Sequence, residues 1–141
     1  MVTSDVDYWL EQLRHRRWSL YFFGPERHHP QAMAATFGWD WAVDVILIHA
    51  EDYAVAWRVP LFTVDTNPFA PEQVTWWYAA TTNRTLRAAL TLDPPGQERH
   101  PIRLEPAPTH CRVPDRYRHD LTFRPGPGEP VVLYTPGPLS G

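Results

Sequence analysis

Large apolar and smaller or polar residues alternate most clearly in segment 53–62, which we predict to be a β-strand. Side chains of a strand point to opposite faces with a period of two, so the large residues share one face. The other face carries alanines and Arg58, and we expect that it could meet water. Pro60 lacks a backbone N–H, which predicts a sheet edge or a bulge at this end. The large residues are Tyr53, Val55, Trp57, Val59 and Leu61.

Segment 41–49 is apolar on both faces, and we predict it to be a central strand that is covered on both sides. The residues Ala50-Glu51-Asp52 form the predicted turn into the next strand. Asp44 is the exception in this segment, because a carboxylate among apolar residues needs a partner. We favour Arg58, across the hairpin, as that partner.

A change from period two to period 3.6 near residue 70 predicts one long helix over residues 71–90. Pro71 suits the first helical position, and Glu72 complements the positive end of the helix dipole. In this helix Trp77 flanks the buried face and Trp76 points away from it. We therefore expect Trp76 to contact segment 93–141 or a second chain. The predicted buried face consists of Val74, Tyr78, Thr81, Thr82, Thr85 and Ala89.

The remaining elements follow from shorter patterns. An amphipathic stripe predicts an N-terminal helix, Ser4 is a suitable N-cap, and arginines fill its last turn. An aromatic run before Gly24 predicts a strand, and Gly38 suits the C-terminal cap of a short helix. The predicted elements are a helix over 5–17, a strand over 18–23, a short helix over 31–37, and extended pieces at 102–104, 121–123 and 131–134.

Composition divides the chain near residue 92. All seven tryptophans precede residue 80, and most of the prolines follow residue 93. We predict an α+β core domain in residues 1–92, in which a small antiparallel sheet of three or more strands is covered on one face by the two long helices. Residues 93–141 are predicted to be a Pro-rich extension that packs on the core or is partly flexible.

The charge and the single cysteine narrow the class of protein. The net charge is −3, all thirteen basic residues are arginine, and no segment has the basic excess that drives phosphate binding. Nucleic acid is therefore a possible but disfavoured partner. Cys111 has no second cysteine to pair with, which suits a reducing compartment. No apolar run resembles a signal peptide or a membrane span, so we predict a cytoplasmic protein without membrane contact.

Several motifs between residues 18 and 92 occur in a familiar order. Gly24-Pro25 follows an aromatic strand, and Phe37-Gly38-Trp39 ends the predicted short helix. The turn is Ala50-Glu51-Asp52-Tyr53, the next strand contains Trp57-Arg58-Val59, and the long helix opens with Ala70-Pro71-Glu72-Gln73. This order resembles the SPDY-motif domain, a small domain of unknown function that is common in actinobacteria such as streptomycetes.

The match to that family is partial. The family has Ser-Pro-Asp-Tyr at the turn, where this chain has Ala50 and Glu51 in place of Ser and Pro. The family also has Thr at the helix cap, where this chain has Ala70. The resemblance implies a divergent actinobacterial member with strand–strand–helix order, and it supplies no catalytic residues.

The seven histidines raise the hypothesis of a metal site, but none of them has the spacing of a known ligand motif. His49 ends an apolar strand, where we interpret it as a strand-end residue. His110 precedes Cys111, but a thiol nucleophile needs a base and an orienting group that meet it in space. We therefore predict no catalytic residue, no metal ligand and no cofactor.

Four acidic residues lie close together around the central hairpin. Asp40 and Asp44 share a strand face and could bind a divalent cation. The alternative that we favour is structural: Asp52 accepts hydrogen bonds in the turn, Asp40 is solvated, and Asp44 pairs with Arg58. Glu51 completes the group.

Surplus aromatic residues lead to three hypotheses for the function. The preferred one is a non-enzymatic module that binds another protein or its own copy, because tryptophan is enriched at protein interfaces. The second is a single-stranded nucleic-acid binder that uses aromatic and arginine side chains. The third is a metal-dependent hydrolase. The predicted partner-binding residues are Trp39, Trp41, Arg58, Trp76 and Trp77, and the hydrolase would use His28, His29, His49, Asp44 and Asp52.

Overall fold

A six-stranded antiparallel sheet forms the framework of the protein, in the order β6-β4-β3-β2-β1-β8. The computed structural model describes residues 5–24, 31–62, 66–99, 103–117 and 121–124. The arrangement is α+β, as predicted. The elements are α1 (Asp5–His15), β1 (Ser19–Phe23), β2 (Ala32–Gly38), β3 (Ala42–Ala50), β4 (Tyr53–Pro60), β5 (Gln73–Val74), β6 (Trp76–Ala80), α2 (Thr82–Leu90), β7 (Glu105–Pro106), a 3₁₀ turn (Asp115–Tyr117) and β8 (Leu121–Arg124).

β3 lies inside the sheet, as its apolar pattern predicted, and its hairpin partner β4 also has a strand on each side. β3 is buried from Ala42 to Ile48, with β2 and β4 as its neighbours. Pro60 pairs with β3 only, because the pairing of β4 with β6 stops at Arg58. The missing N–H of Pro60 therefore removes no bond from the ladder between β4 and β6.

The two helices cover one face of the sheet, and irregular segments cover the other. The alanine face of β4, which we expected to meet water, is buried under α2: Ala54 and Ala56 are 0 % exposed. Alanine has no side chain beyond Cβ, so a helix can approach the strand closely there. The opposite face of the sheet packs on residues that include Phe69, Val74, Cys111, Val113 and Tyr117.

The predicted helix over 71–90 is wrong in its first half. Residues 73–80 form β5 and β6, and β6 pairs with β4 as an edge of the sheet. β-Branched and aromatic residues at positions 74–78 favour a strand, and pairing with β4 outweighs the local helical pattern. Helix α2 begins only after Thr81, whose side chain accepts a hydrogen bond from the Arg84 N–H.

The predicted short helix over 31–37 is also wrong, because residues 32–38 form β2 between β1 and β3. Alanine is the strongest helix former, but helix propensities of ordinary residues differ by only about 0.7 kcal/mol per residue or less, and hydrogen bonds to two flanking strands outweigh that preference. The N-terminal helix is confirmed, although it ends at His15. Arg17 has a φ of 67°, the left-handed conformation that commonly follows the end of a helix.

The described part of the Pro-rich segment joins the core. β7 pairs with β5, the Val113 N–H donates to the Phe69 carbonyl, and β8 joins the sheet beside β1. The extended piece predicted at 121–123 lies within β8. The extended piece predicted at 102–104 is not part of a strand in its described residues 103 and 104, because β7 begins at Glu105. Positions 102 and 131–134 lie outside the described residues. No helix in the described ranges is both long and apolar enough to span a bilayer.

Candidate interaction edge

Strand β6 lies at one edge of the sheet and pairs with β4 alone among the strands of the described residues. In the pairing with β4, Trp76 lies opposite Arg58, Tyr78 opposite Ala56 and Ala80 opposite Ala54. The direction of the backbone groups decides which residues of β6 are open to a further strand.

Hydrogen bonds at both sides of β4 fix that direction. The Leu61 N–H donates to the Trp41 carbonyl, so odd-numbered residues of β4 bond to β3. The Thr75 N–H donates to the Arg58 carbonyl at 3.0 Å, so even-numbered residues bond towards β6. The hydrogen-bonded pairs between β4 and β6 are therefore those of Trp76, Tyr78 and Ala80.

The N–H and C=O groups of Trp77 and Ala79 consequently point away from β4, towards the free edge. Apart from the ladder itself, no backbone hydrogen bond within the described ranges involves either residue. The edge thus presents two residues with both backbone groups directed outward.

The side chains of β6 do not protect this edge. Its sequence from Trp76 to Ala80 is Trp-Trp-Tyr-Ala-Ala, without charge and without proline. Edge strands are usually protected by charged residues, proline or a covering element, because an open apolar edge pairs with other chains. None of the five side chains is fully buried, and Trp77 is 38 % exposed.

Trp77 contacts the Pro-rich segment. The Trp77 Nε1–H donates to Glu105 Oε1 at 2.8 Å, and the ring lies edge-on to His110 at 4.8 Å between centroids. Trp76 packs instead against the cluster on the helical face. The expectation that Trp76 points away from the buried face is wrong because neighbouring residues of a strand face opposite sides, whereas the prediction used a helical phase. Its contact with a second chain stays a prediction.

Ala79, Glu105 and His110 were missed as site residues. Glu105 and His110 could not be found from the sequence, because their contact with Trp77 joins segments 28 or more residues apart. The open edge at Ala79 could have been suspected, since Val74-Thr75-Trp76-Trp77-Tyr78 combines β-branched and aromatic residues, which are enriched in strands.

Arg58 is a structural residue and not a surface contact. Its Nε donates to Asp44 Oδ1 at 2.6 Å and its Nη2 to Asp44 Oδ2 at 2.8 Å, so the predicted ion pair is confirmed. Its Nη1 donates to the Asp93 carbonyl at 2.9 Å. Because Arg58 is 0 % exposed, its prediction as a partner-binding residue is wrong.

The two tryptophans before β3 differ in their surroundings. Trp39 is partly buried and donates from Nε1 to Asp44 Oδ2 at 3.0 Å, which adds a third hydrogen bond to that carboxylate. Trp41 is 39 % exposed and has no such partner among the described hydrogen bonds. Trp39 therefore belongs to the buried charge cluster, whereas Trp41 remains a surface residue.

The residues of the metal hypothesis are not brought together. Asp44 faces the helical side of β3, and His49 faces the opposite side, where its Nδ1 lies 3.1 Å from Tyr117 Oη. Burial, and then the charge of Arg116, lower the pKa of His49. His28 and His29 lie outside the described residues. Within the described ranges, no group of three His, Cys, Asp or Glu side chains could hold a metal ion.

Cys111 has the environment of an unreactive thiol. It is buried, and burial followed by the charge of Glu105 raises its pKa to about 12. The thiolate is the nucleophilic form, and this pKa keeps it scarce at neutral pH. His110 packs on Trp77, so no base for Cys111 is provided by its neighbour.

Comparisons of this chain with protein-family models, curated proteins and solved structures found no match. The resemblance to the SPDY-motif domain therefore stays a prediction. The geometry of β6 is the basis for a functional proposal.

Proposed function

We propose that this chain is a non-enzymatic interaction module that binds a β-strand of another polypeptide along the free edge of β6. The observation that carries the proposal is the outward direction of the backbone groups of Trp77 and Ala79 at an edge without charge or proline. An added strand gains affinity from main-chain hydrogen bonds and specificity from its side chains.

The side chain of Trp77 supports the same proposal. Large aromatic residues dominate binding energy at protein interfaces. The hydrogen bond to Glu105 and the contact with His110 already orient the indole ring. A side chain that is ordered before binding loses less conformational entropy when the partner arrives.

The two other hypotheses have less geometric support. A nucleic-acid surface needs arginine beside exposed aromatic rings, and Arg58 is buried in its ion pair. A hydrolase needs convergent ligands or a reactive nucleophile, whereas Asp44 and His49 face opposite sides of β3 and Cys111 holds its proton.

Two proline substitutions test the proposal. Ala79→Pro removes an N–H that points to the free edge, and Ala80→Pro removes one that points to β4. Wild type and Ala79→Pro are immobilised at equal density, and the proteins retained from an extract of the host cells, including added tagged copies of this chain, are quantified by mass spectrometry. We expect at least one strand-donating partner to be lost with Ala79→Pro while its thermal melting stays close to wild type.

The proposal would be contradicted if immobilised wild type and immobilised Ala79→Pro retained the same proteins. The Ala80→Pro variant checks the assignment of the edge, because it should lower the melting temperature through a lost ladder bond. If Ala79→Pro and Ala80→Pro destabilise the fold equally, the outward direction of the Ala79 N–H is wrong.

A further inference from the structure

We infer that the strand which pairs with β6 is β6 of a second copy of this chain, with Tyr78 of each copy on the two-fold axis. The inference rests on the proposed function of the β6 edge and names the partner. It follows from three features of the edge: its hydrogen-bond symmetry, the sizes of its side chains and the position of α2.

The outward backbone groups are symmetric about Tyr78. In an antiparallel pair centred on this residue, Trp77 of each copy lies opposite Ala79 of the other. Both residues direct their N–H and C=O groups outward, so each of the two pairs exchanges both hydrogen bonds. If the pairing were instead centred on Trp77 or on Ala79, only the residue at the centre would lie opposite a residue of the second strand whose backbone groups also point outward. This five-residue strand would then form one hydrogen-bonded pair in place of two.

The side chains in this register also complement each other in size. The indole of Trp77 lies opposite the methyl group of Ala79 twice, once on each side of the axis. Large and small side chains opposite each other fill a shared surface without a clash. Like charges, which would oppose pairing of identical strands, do not occur in β6.

Helix α2 leaves room for the second copy. The two-fold axis is perpendicular to the joined sheet, so the helices of both copies lie on the same side. The Thr85 hydroxyl donates to the Ala54 carbonyl at 3.0 Å, which places α2 over β4. Two α2 helices would be separated by three strand spacings, or about 14 Å.

That separation exceeds the 8–10 Å of directly packed helices, so side chains can fill the space between them. The side chains available on this face are Trp76 and Tyr78 of each copy, which are only partly buried in the single chain. Pairing would bury both. Because β6 has only five residues, we expect the contact to be smaller than a standard interface of about 1,600 Å². We therefore expect a reversible dimer with a dissociation constant on the order of micromolar.

Disulfide trapping tests the register. Residues on the axis form a non-hydrogen-bonded pair with Cα atoms about 4.5 Å apart, which a disulfide can bridge. We expect Tyr78→Cys to form a covalent dimer under mild oxidation at micromolar concentration. The matched control is Ala80→Cys, on the same face but about 13 Å from its counterpart, which should stay monomeric. The wild type is the blank, since Cys111 is buried.

Sedimentation velocity of the wild type provides a second measurement that does not depend on a substitution. We expect the dimer fraction to rise with concentration, and Ala79→Pro to shift the association at least tenfold to higher concentration. Equal trapping of Tyr78→Cys and Ala80→Cys would overturn the register, because random collision would then explain both.

A wild type that stays monomeric up to about 100 µM, well above the expected micromolar constant, would overturn the inference. In that case the extract experiment separates the two claims. Partners other than this chain that are lost with Ala79→Pro would leave the proposed function standing with a foreign strand. If Ala79→Pro loses no partner in the extract experiment, both the proposed function and the inferred dimer are wrong.

Discussion

The centre of the sheet contains a buried ion pair, whereas its edge strand β6 contains no charged residue. Arg58 and Asp44 lie opposite each other in the buried centre, with three hydrogen bonds to the carboxylate from Arg58 and Trp39. The edge strand, where charge normally prevents pairing with other chains, has none. The buried charges are therefore satisfied within the chain, while the neutral edge leaves pairing with another chain open.

Breaking the central ion pair should give the largest effect. Arg58→Met leaves the Asp44 carboxylate and the Asp93 carbonyl without their buried donor. Removing one partner of a buried pair costs about 3–5 kcal/mol of unfolding free energy, which urea denaturation measures. The double variant Asp44→Leu/Arg58→Met also removes the Asp44 carboxylate, but Glu98, whose Oε2 lies 3.8 Å from Arg58 Nη1, still loses its counter-charge. We therefore expect part of the loss, and not all of it, to be recovered. An Arg58→Met variant as stable as the wild type would show that the centre does not depend on charge.

The two directions of the β6 backbone should separate stability from association. Ala80→Pro removes a bond to β4, and we expect a loss of unfolding free energy of about 1–3 kcal/mol. Ala79→Pro should change stability by less than about 1 kcal/mol and still reduce association at least tenfold. Chemical denaturation and sedimentation velocity on the same samples measure the two effects. If Ala79→Pro and Ala80→Pro both lost stability and neither lost association, the edge of β6 would not be a separate association site.

A substitution of Glu105 tests whether the orientation of the Trp77 ring contributes to association. Glu105→Ala removes the acceptor of the Trp77 indole N–H, and a partly exposed hydrogen bond of this kind contributes about 0.5–1.5 kcal/mol. We expect a small loss of stability and weaker association, by a few-fold. Glu105→Gln keeps an acceptor oxygen and should behave like the wild type. If Glu105→Ala associates normally, the orientation of Trp77 does not matter for the edge.

The smallest expected effect is a pH dependence from His49, on the face opposite the helices. The pKa of His49 is lowered from 6.5 by burial and by Arg116, so the unfolded chain takes up a proton at higher pH than the folded one. This contribution to stability is present above about pH 6.5, declines as the pH falls below it, and becomes constant below the folded pKa.

The comparison of wild type with His49→Gln isolates this contribution from those of the other histidines. Urea unfolding between pH 7.5 and pH 5 should show a steeper loss on acidification in the wild type than in the variant. Parallel curves would mean that burial and the charge of Arg116 do not favour the neutral imidazole of His49 in the folded chain.

The sequence determined the parts of the fold whose signals are local. Segments 41–49 and 53–62 were identified as strands because their periodic patterns need only a few adjacent residues to express them. The Asp44–Arg58 pair was predictable for the same reason: a short turn joins the strands, so their register depends on nearby residues. The α+β class and the N-terminal helix follow from similarly local patterns.

Only the tertiary structure decided segments 32–38 and 73–80. Alanines and a helix-like spacing predicted helices there. The first segment instead bonds to two flanking strands, and in the second segment β5 bonds to β7 and β6 bonds to β4. The energy of such ladders comes from partners distant in sequence, and it exceeds the small differences in local propensity. The interaction edge depends on this outcome. In a strand the backbone N–H and C=O groups of Trp77 and Ala79 point outward to a partner, whereas in a helix they would bond within the helix.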